Sequence, residues 1–142
     1  MLRTEVSQRV WPYTVPGIPA SLNAMIRPGK GRFQAVRDEA ERWAQEVWLA
    51  VQASGRPPEP LRRARVILAY WFPDRRRRDP DNHAGKHILD GLRKAGVLAD
   101  DTFEVVELVL RKAGVDPRNP RVEITVVARD AEEDQDEPGG AQ

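Results

Sequence analysis

Residues Arg75 to Lys86 read RRRRDPDNHAGK, four guanidinium groups set directly against the carboxylates of Asp79 and Asp81. Arginine binds phosphate bidentately, whereas neighbouring carboxylates repel phosphate unless a cation neutralises them. The two signs together describe a metal-dependent phosphodiester site: Arg75, Arg76, Arg77 and Arg78 to hold a polyanion, acids to hold the metal that activates water. Asp79 followed by Pro80 is also an ordinary helix start, since aspartate caps free N–H groups and proline needs no N–H partner in the first turn. Asp81 is not covered by that explanation. On a helix from about Pro80 to Ala95, the apolar stripe is centred on Ala84, Ile88, Leu92 and Ala95, and Asp81 falls at its N-terminal end. An inward carboxylate needs a partner, which can be a metal ion, a buried arginine or a backbone amide.

A second acidic pair, Asp100–Asp101, lies in the LADDT turn. If the chain from Val105 returns as a strand beside ARVILAYWF, this turn is expected near Asp79 and Asp81. All-oxygen ligation of that kind suits Mg²⁺, or Mn²⁺ in its place. The alternative for the pair is a solvated turn. His83 and His87 are four apart, but no third imidazole and no thiolate exists to complete a zinc site. With Asp90 and Lys94 they are assigned to the polar side of the helix, facing solvent or phosphate.

The elements that must position these residues follow from periodicity. RVWPYTV (9–15) reads as a strand that Pro12 confines to an edge or a bulge. A Pro- and Gly-rich loop follows, and from Gln34 the residues Val36, Ala40, Trp43, Ala44, Val47 and Val51 recur at helical spacing up to Ser54–Gly55. ARVILAYWF reads as a buried strand feeding the arginine run. The second helix stops at Gly96, which can take the left-handed conformation past a helix end. EVVELVLRK and RVEITVVAR read as strands. The expected fold class is α+β, a small two-layer domain with a mixed sheet and two helices in the order β-α-β-α-β-β.

The chain has 142 residues and is 40% hydrophobic, enough for one domain with a real core. Its 23 basic and 22 acidic residues look balanced, but residues 130–142 hold six acids and no base. The expected domain, 1–129, is therefore basic by seven charges and suited to a polyanionic partner, while 130–142 is expected to be a disordered acidic tail. With no cysteine, disulfides, thiolate metal sites and cysteine nucleophiles are excluded. No signal segment or membrane span is evident, so a cytoplasmic, nucleoid-associated protein without a membrane partner is expected.

RRRRDPDN, then K...D.L...G, then DD, preceded by a strand and by GIPASLNAM, resembles the RusA family of Holliday junction resolvases over roughly residues 13–128. The resemblance implies a RusA-like fold and a Mg²⁺-dependent endodeoxyribonuclease, a homodimer placing two active sites across four-way junction DNA. It implies catalytic or metal-binding roles for Asp79, Asp81, Asp101 and Lys86, and a substrate contact at Asn23. The chain has one more residue between DPDN and the lysine than the family pattern, which makes Asp100 a rival to Asp101; the ungapped block from Lys86 to Asp101 favours Asp101. The basic loop RPGKGR, with Arg27, Lys30 and Arg32, would add backbone contacts. Trp48, Trp71 or an edge strand would supply a dimer surface. The alternatives are a non-catalytic branched-DNA-binding module and a metal-dependent hydrolase of small phosphoesters.

Overall fold

The computed structural model describes residues 9–19, 32–80, 83 and 85–130. Their elements are β1 (Val10–Pro16), α1 (Arg32–Ser54), β2 (Ala64–Phe72), α2 (Lys86–Lys94), β3 (Val106–Val115) and β4 (Arg121–Ala128). The fold is α+β, with two helices and a mixed four-stranded sheet ordered β1-β4-β2-β3. β4 runs antiparallel to both β1 and β2, whereas β2 and β3 are parallel and joined through α2.

β2 buries alternate residues, Ala64, Val66, Leu68, Tyr70 and Phe72, and leaves Arg65, Ile67, Ala69 and Trp71 half-buried on the other face. The apolar run therefore makes the buried strand expected, with one face fully covered and the other half-covered. β-branched and aromatic residues fit such a pleated, half-buried surface. Register carries the same alternation across the sheet: Val66 lies opposite Val126, Leu68 opposite Ile124, and Ile124 opposite Tyr13. These side chains form one core with Trp43, Val47 and Val51 of α1 and Ile88 and Leu92 of α2. β1 is an edge strand, as Pro12 requires.

α2 departs from expectation at its start. It begins at Lys86, six residues after Pro80, and Pro80 sits in a single tight turn closed by the His83 N–H donating to the Pro80 carbonyl at 2.9 Å. Gly85 occupies the N-cap with φ 76°, in the left-handed region, and offers no capping side chain. A left-handed residue interrupts a right-handed helix, so Asp79–Pro80 does not open α2. The helical wheel that put Asp81 on the apolar stripe no longer applies, and Asp81 itself lies outside the described residues. The other end agrees with expectation: Gly96 takes φ 87°, and the Val97 N–H donates to the Leu92 carbonyl at 2.9 Å in a glycine-terminated cap. Residues 131–142, the expected tail, also lie outside the described residues.

Candidate functional site

The arginine run leaves the C-terminal end of β2, and its four members do different things. Arg75, Arg76 and Arg77 are exposed, with 77% and 90% of the Arg76 and Arg77 side chains open to solvent. Arg78 is only 15% exposed. Its guanidinium lies 4.4 Å above the centre of the Phe72 ring, and it donates to the Asp74 carboxylate at 2.8 Å and to the carbonyls of Asp74 and Arg76 at 2.9 and 3.0 Å. Asp74 also accepts from the Arg76 backbone N–H at 3.0 Å, and these donors hold its carboxyl below the usual carboxylate range. Arg78 is thus a brace that folds the loop onto Phe72. A run of four identical residues offers no means of telling it from its three neighbours, and Asp74 carried no sequence signal.

The brace sets Asp79 at the rim of a small cleft of about 80 Å³, lined by Tyr70, Phe72, Arg78, Asp79, Pro80, His83, Leu110, Arg111 and Lys112. The Asp79 carboxylate is half-exposed and meets Arg77 at 3.4 Å. Its floor is apolar and fixed. The Tyr70 hydroxyl donates to the His83 carbonyl at 2.5 Å, and burial pushes that hydroxyl well above its ordinary pKa, so it remains a donor. The His83 ring meets Phe72 edge-on at 5.4 Å.

Neither histidine faces solvent as expected. His87 is buried, and His83 is half-buried in the cleft. Burial lowers both pKa values, reinforced at His83 by Arg78. Both stay neutral at pH 7, with His83 Nδ1 and His87 Nε2 lacking a hydrogen-bond partner among the described residues. They were misplaced because the wheel used a helix that starts six residues too early. Lys86, the first residue of α2, is exposed.

Asp100 and Asp101 lie elsewhere. Leu98 bridges Leu61, the Ala99 N–H donates to the Leu61 carbonyl at 2.8 Å, and Ala64 lies opposite Val106, which places the acidic turn at the N-terminal end of β2 and β3. The Asp79 cleft sits at the level of Tyr70 and Lys112, six strand residues away, or about 20 Å. The strand after Val105 does return beside β2, but it is parallel, so the turn lies at the far end instead of joining Asp79. In the turn itself, Asp100 accepts from the Asp101 N–H at 2.8 Å; at the end of α2 the Asp90 hydrogen bond holds Arg93 charged, with Asp101 and Asp100 adding to it. Asp90 is held by Arg93 at 2.6 Å and Lys94 at 3.3 Å.

Among the described residues no three His, Asp or Glu side chains are grouped to hold a metal ion. Asn23, Arg27 and Lys30 lie outside the described residues, and Arg32 is described only as the first residue of α1. No helix among the described residues is long and apolar enough to cross a membrane. No protein-family model and no curated protein sequence matches the chain.

Proposed function

We propose that the protein is a Mg²⁺-dependent, structure-selective endodeoxyribonuclease that resolves Holliday junctions by paired nicks, acting as a homodimer in DNA recombination and repair. The observation that carries this is the braced loop after β2, which presents three solvent-facing arginines beside a half-exposed aspartate on a rigid aromatic floor. Flexible arginines would lose affinity to ordering, whereas a loop already folded by Arg78 and Asp74 offers its solvent-exposed guanidinium groups, two of them in long, exposed ion pairs with Asp74 and Asp79, to phosphates at lower entropic cost. The resemblance to the RusA family, carried by RRRRDPDN, Lys86 and the DD turn, points the same way.

In this reading Asp79 and Asp81 of one copy hold the metal. Asp101, with Asp100 beside it, can join them only from a second copy, because about 20 Å of sheet separates the two ends within one chain. Bound Mg²⁺ would supply Lewis acidity and an activated water. The chain's own residues do the rest: Arg75, Arg76 and Arg77 fix the strand, Lys86 adds positive charge at the start of α2, and Tyr70, Phe72 and His83 keep water from one side of the cleft. A cleft of about 80 Å³ is smaller than pockets that enclose a nucleotide-sized ligand, which disfavours small phosphoesters. The separation of Asp79 from Asp100–Asp101 favours, as second reading, a branched-DNA-binding module without catalysis.

Incubating the protein with a labelled four-way junction or matched linear duplex, in Mg²⁺ or EDTA, separates these readings on a denaturing gel. Symmetric nicks in the junction that require Mg²⁺ support the proposal. Binding without nicks supports the module, and equal cutting of the duplex removes junction selectivity.

A further inference from the structure

β3 changes chemistry along one face. Val106, Leu108, Leu110 and Lys112 lie opposite Ala64, Val66, Leu68 and Tyr70 of β2, and strand residues in register share a face, here the one that packs on the helices. Val106 is buried, and Leu108 and Leu110 pack against the core, so the fourth position of an apolar row holds an ammonium group. A lysine there gives up the burial that a leucine would make. Directly after it the ladder shifts: Lys112 pairs with Tyr70, Gly114 pairs with Trp71, and Ala113 is the extra residue. A bulge re-aims the side chains beside it, and bulges concentrate next to active sites. Gly114 lets the Trp71 ring close over it, 2.8 Å from where a Cβ would stand, which holds this bulge in place.

The shifted strand brings Lys112 to the Asp79 cleft, which it lines together with Tyr70. Lys112 is exposed and, among the described residues, makes no hydrogen bond or ion pair. Three cations near this end of the sheet are engaged: Arg78 with Asp74, Arg77 with Asp79, and Arg121 with Asp116 and Glu123. Asp79 lines the same cleft from the loop after β2, so the two walls carry opposite charges that do not close on each other. Solvation alone accounts for an exposed lysine, whose stem can run over apolar surface to water. It does not account for a lysine set in an apolar row, aimed by a bulge and facing an aspartate across a cleft. A cation over an apolar floor attracts an anion more strongly than one in open water, because low-dielectric walls focus its field.

We infer that Lys112 binds a backbone phosphate of DNA in this cleft and, where the inference rests on the proposed nuclease activity, stabilises the charge that phosphate gains during hydrolysis. In that step the water oxygen bonds to phosphorus and the bond from phosphorus to one sugar oxygen breaks. The proton that water gives up ends on that sugar oxygen, which leaves as a hydroxyl. Lys112 exchanges no proton; its charge stands beside the phosphate oxygens as negative charge builds on them. Lys86 is not among the described residues that line the cleft, so Lys112 is a second cation with a place of its own.

The test uses the full-length protein, as wild type, Lys112→Met, Lys112→Arg and Arg118→Ala. Methionine keeps an unbranched stem and drops the charge, whereas Arg118, exposed in the loop between β3 and β4, removes an equal charge away from the cleft lining. Two quantities are read: the single-turnover rate at saturating four-way junction in Mg²⁺, and the salt dependence of junction binding in EDTA. Lys112→Met is expected to lower the saturated rate by about 10²-fold or more and the salt slope by about one unit. Lys112→Arg should recover most of the lost rate, and Arg118→Ala should leave the saturated rate unchanged. A Lys112→Met protein that cuts at the wild-type rate overturns the inference and leaves the nuclease intact. If the wild type binds junctions without cutting them, the nuclease is refuted and the salt slope decides for Lys112: a lower slope in Lys112→Met upholds the phosphate contact, and an unchanged slope overturns it.

Discussion

Replacing Gly85 by alanine tests the late start of α2, on which the position of the whole DPDN loop depends. Two costs add. Alanine at φ 76° is left-handed, which costs roughly 1–2 kcal/mol for an L-residue. The new Cβ would also overlap Leu68 Cδ1 and stand 3.5 Å from the Tyr70 hydroxyl. Leu68 is fully buried and cannot swing into solvent, so this overpacking costs about 1–3 kcal/mol more. The total is about 2–5 kcal/mol, or a melting temperature lower by roughly 6–20 °C for a domain of this size. Urea denaturation of Gly85→Ala with and without Leu68→Ala separates the parts. Leu68→Ala is itself costly, about 2–5 kcal/mol, but in its presence Gly85→Ala should cost only the backbone share of about 1–2 kcal/mol. A Gly85→Ala protein within about 0.5 kcal/mol of wild type would refute both the left-handed N-cap and the close approach to Leu68.

Three further outcomes follow from the same geometry. Arg75→Ala, Arg76→Ala and Arg77→Ala should each lower the salt slope of junction binding by up to about one unit per lost phosphate contact with little change in melting temperature, while Arg78→Ala should lower the melting temperature, since of the four only Arg78 ties Asp74 to the Phe72 ring; equal effects from all four would contradict that division. Because burial depresses the pKa values of His83 and His87, the unfolded chain takes up protons first: the stability they contribute is complete above about pH 6.5 and is lost as pH falls through their folded values, so melting temperature should decline below that pH and decline less steeply in His87→Leu, a difference that thermal melts across pH 5.5–7.5 will detect or exclude. Mixing Asp81→Asn with Asp101→Asn chains should recover cleavage that neither has alone, because one mixed dimer leaves one site with all its carboxylates; no recovery would mean that each site is built within a single chain.

The strands and α1 were legible because alternation and helical spacing are read directly from residue types, and because Pro12 and Gly96 each allow few places in a fold. The start of α2 was not. Asp79–Pro80 carries the strongest helix-start signal in the chain, and nothing in HAGK reveals that Gly85 turns left-handed against Leu68; that depends on packing between segments 17 residues apart. The histidines followed the misplaced helix. The direction of β3 could have been inferred: a strand, a helix and a second strand in one sheet form a parallel crossover, and a parallel crossover sends the turn before its second strand to the opposite end from the loop after its first. The division of labour among the arginines has no signature in a run of four identical residues.

Most directly, single-turnover cleavage and binding of a four-way junction should be measured together for wild type and Asp81→Asn. The substitution is nearly isosteric and removes one negative charge. If Asp81 holds the metal, cleavage in Mg²⁺ should fall by orders of magnitude while junction affinity stays equal or tightens, as a charge facing phosphate has gone. A folded Asp81→Asn protein that nicks junctions at a near wild-type rate would contradict the metal-dependent site at RRRRDPDN.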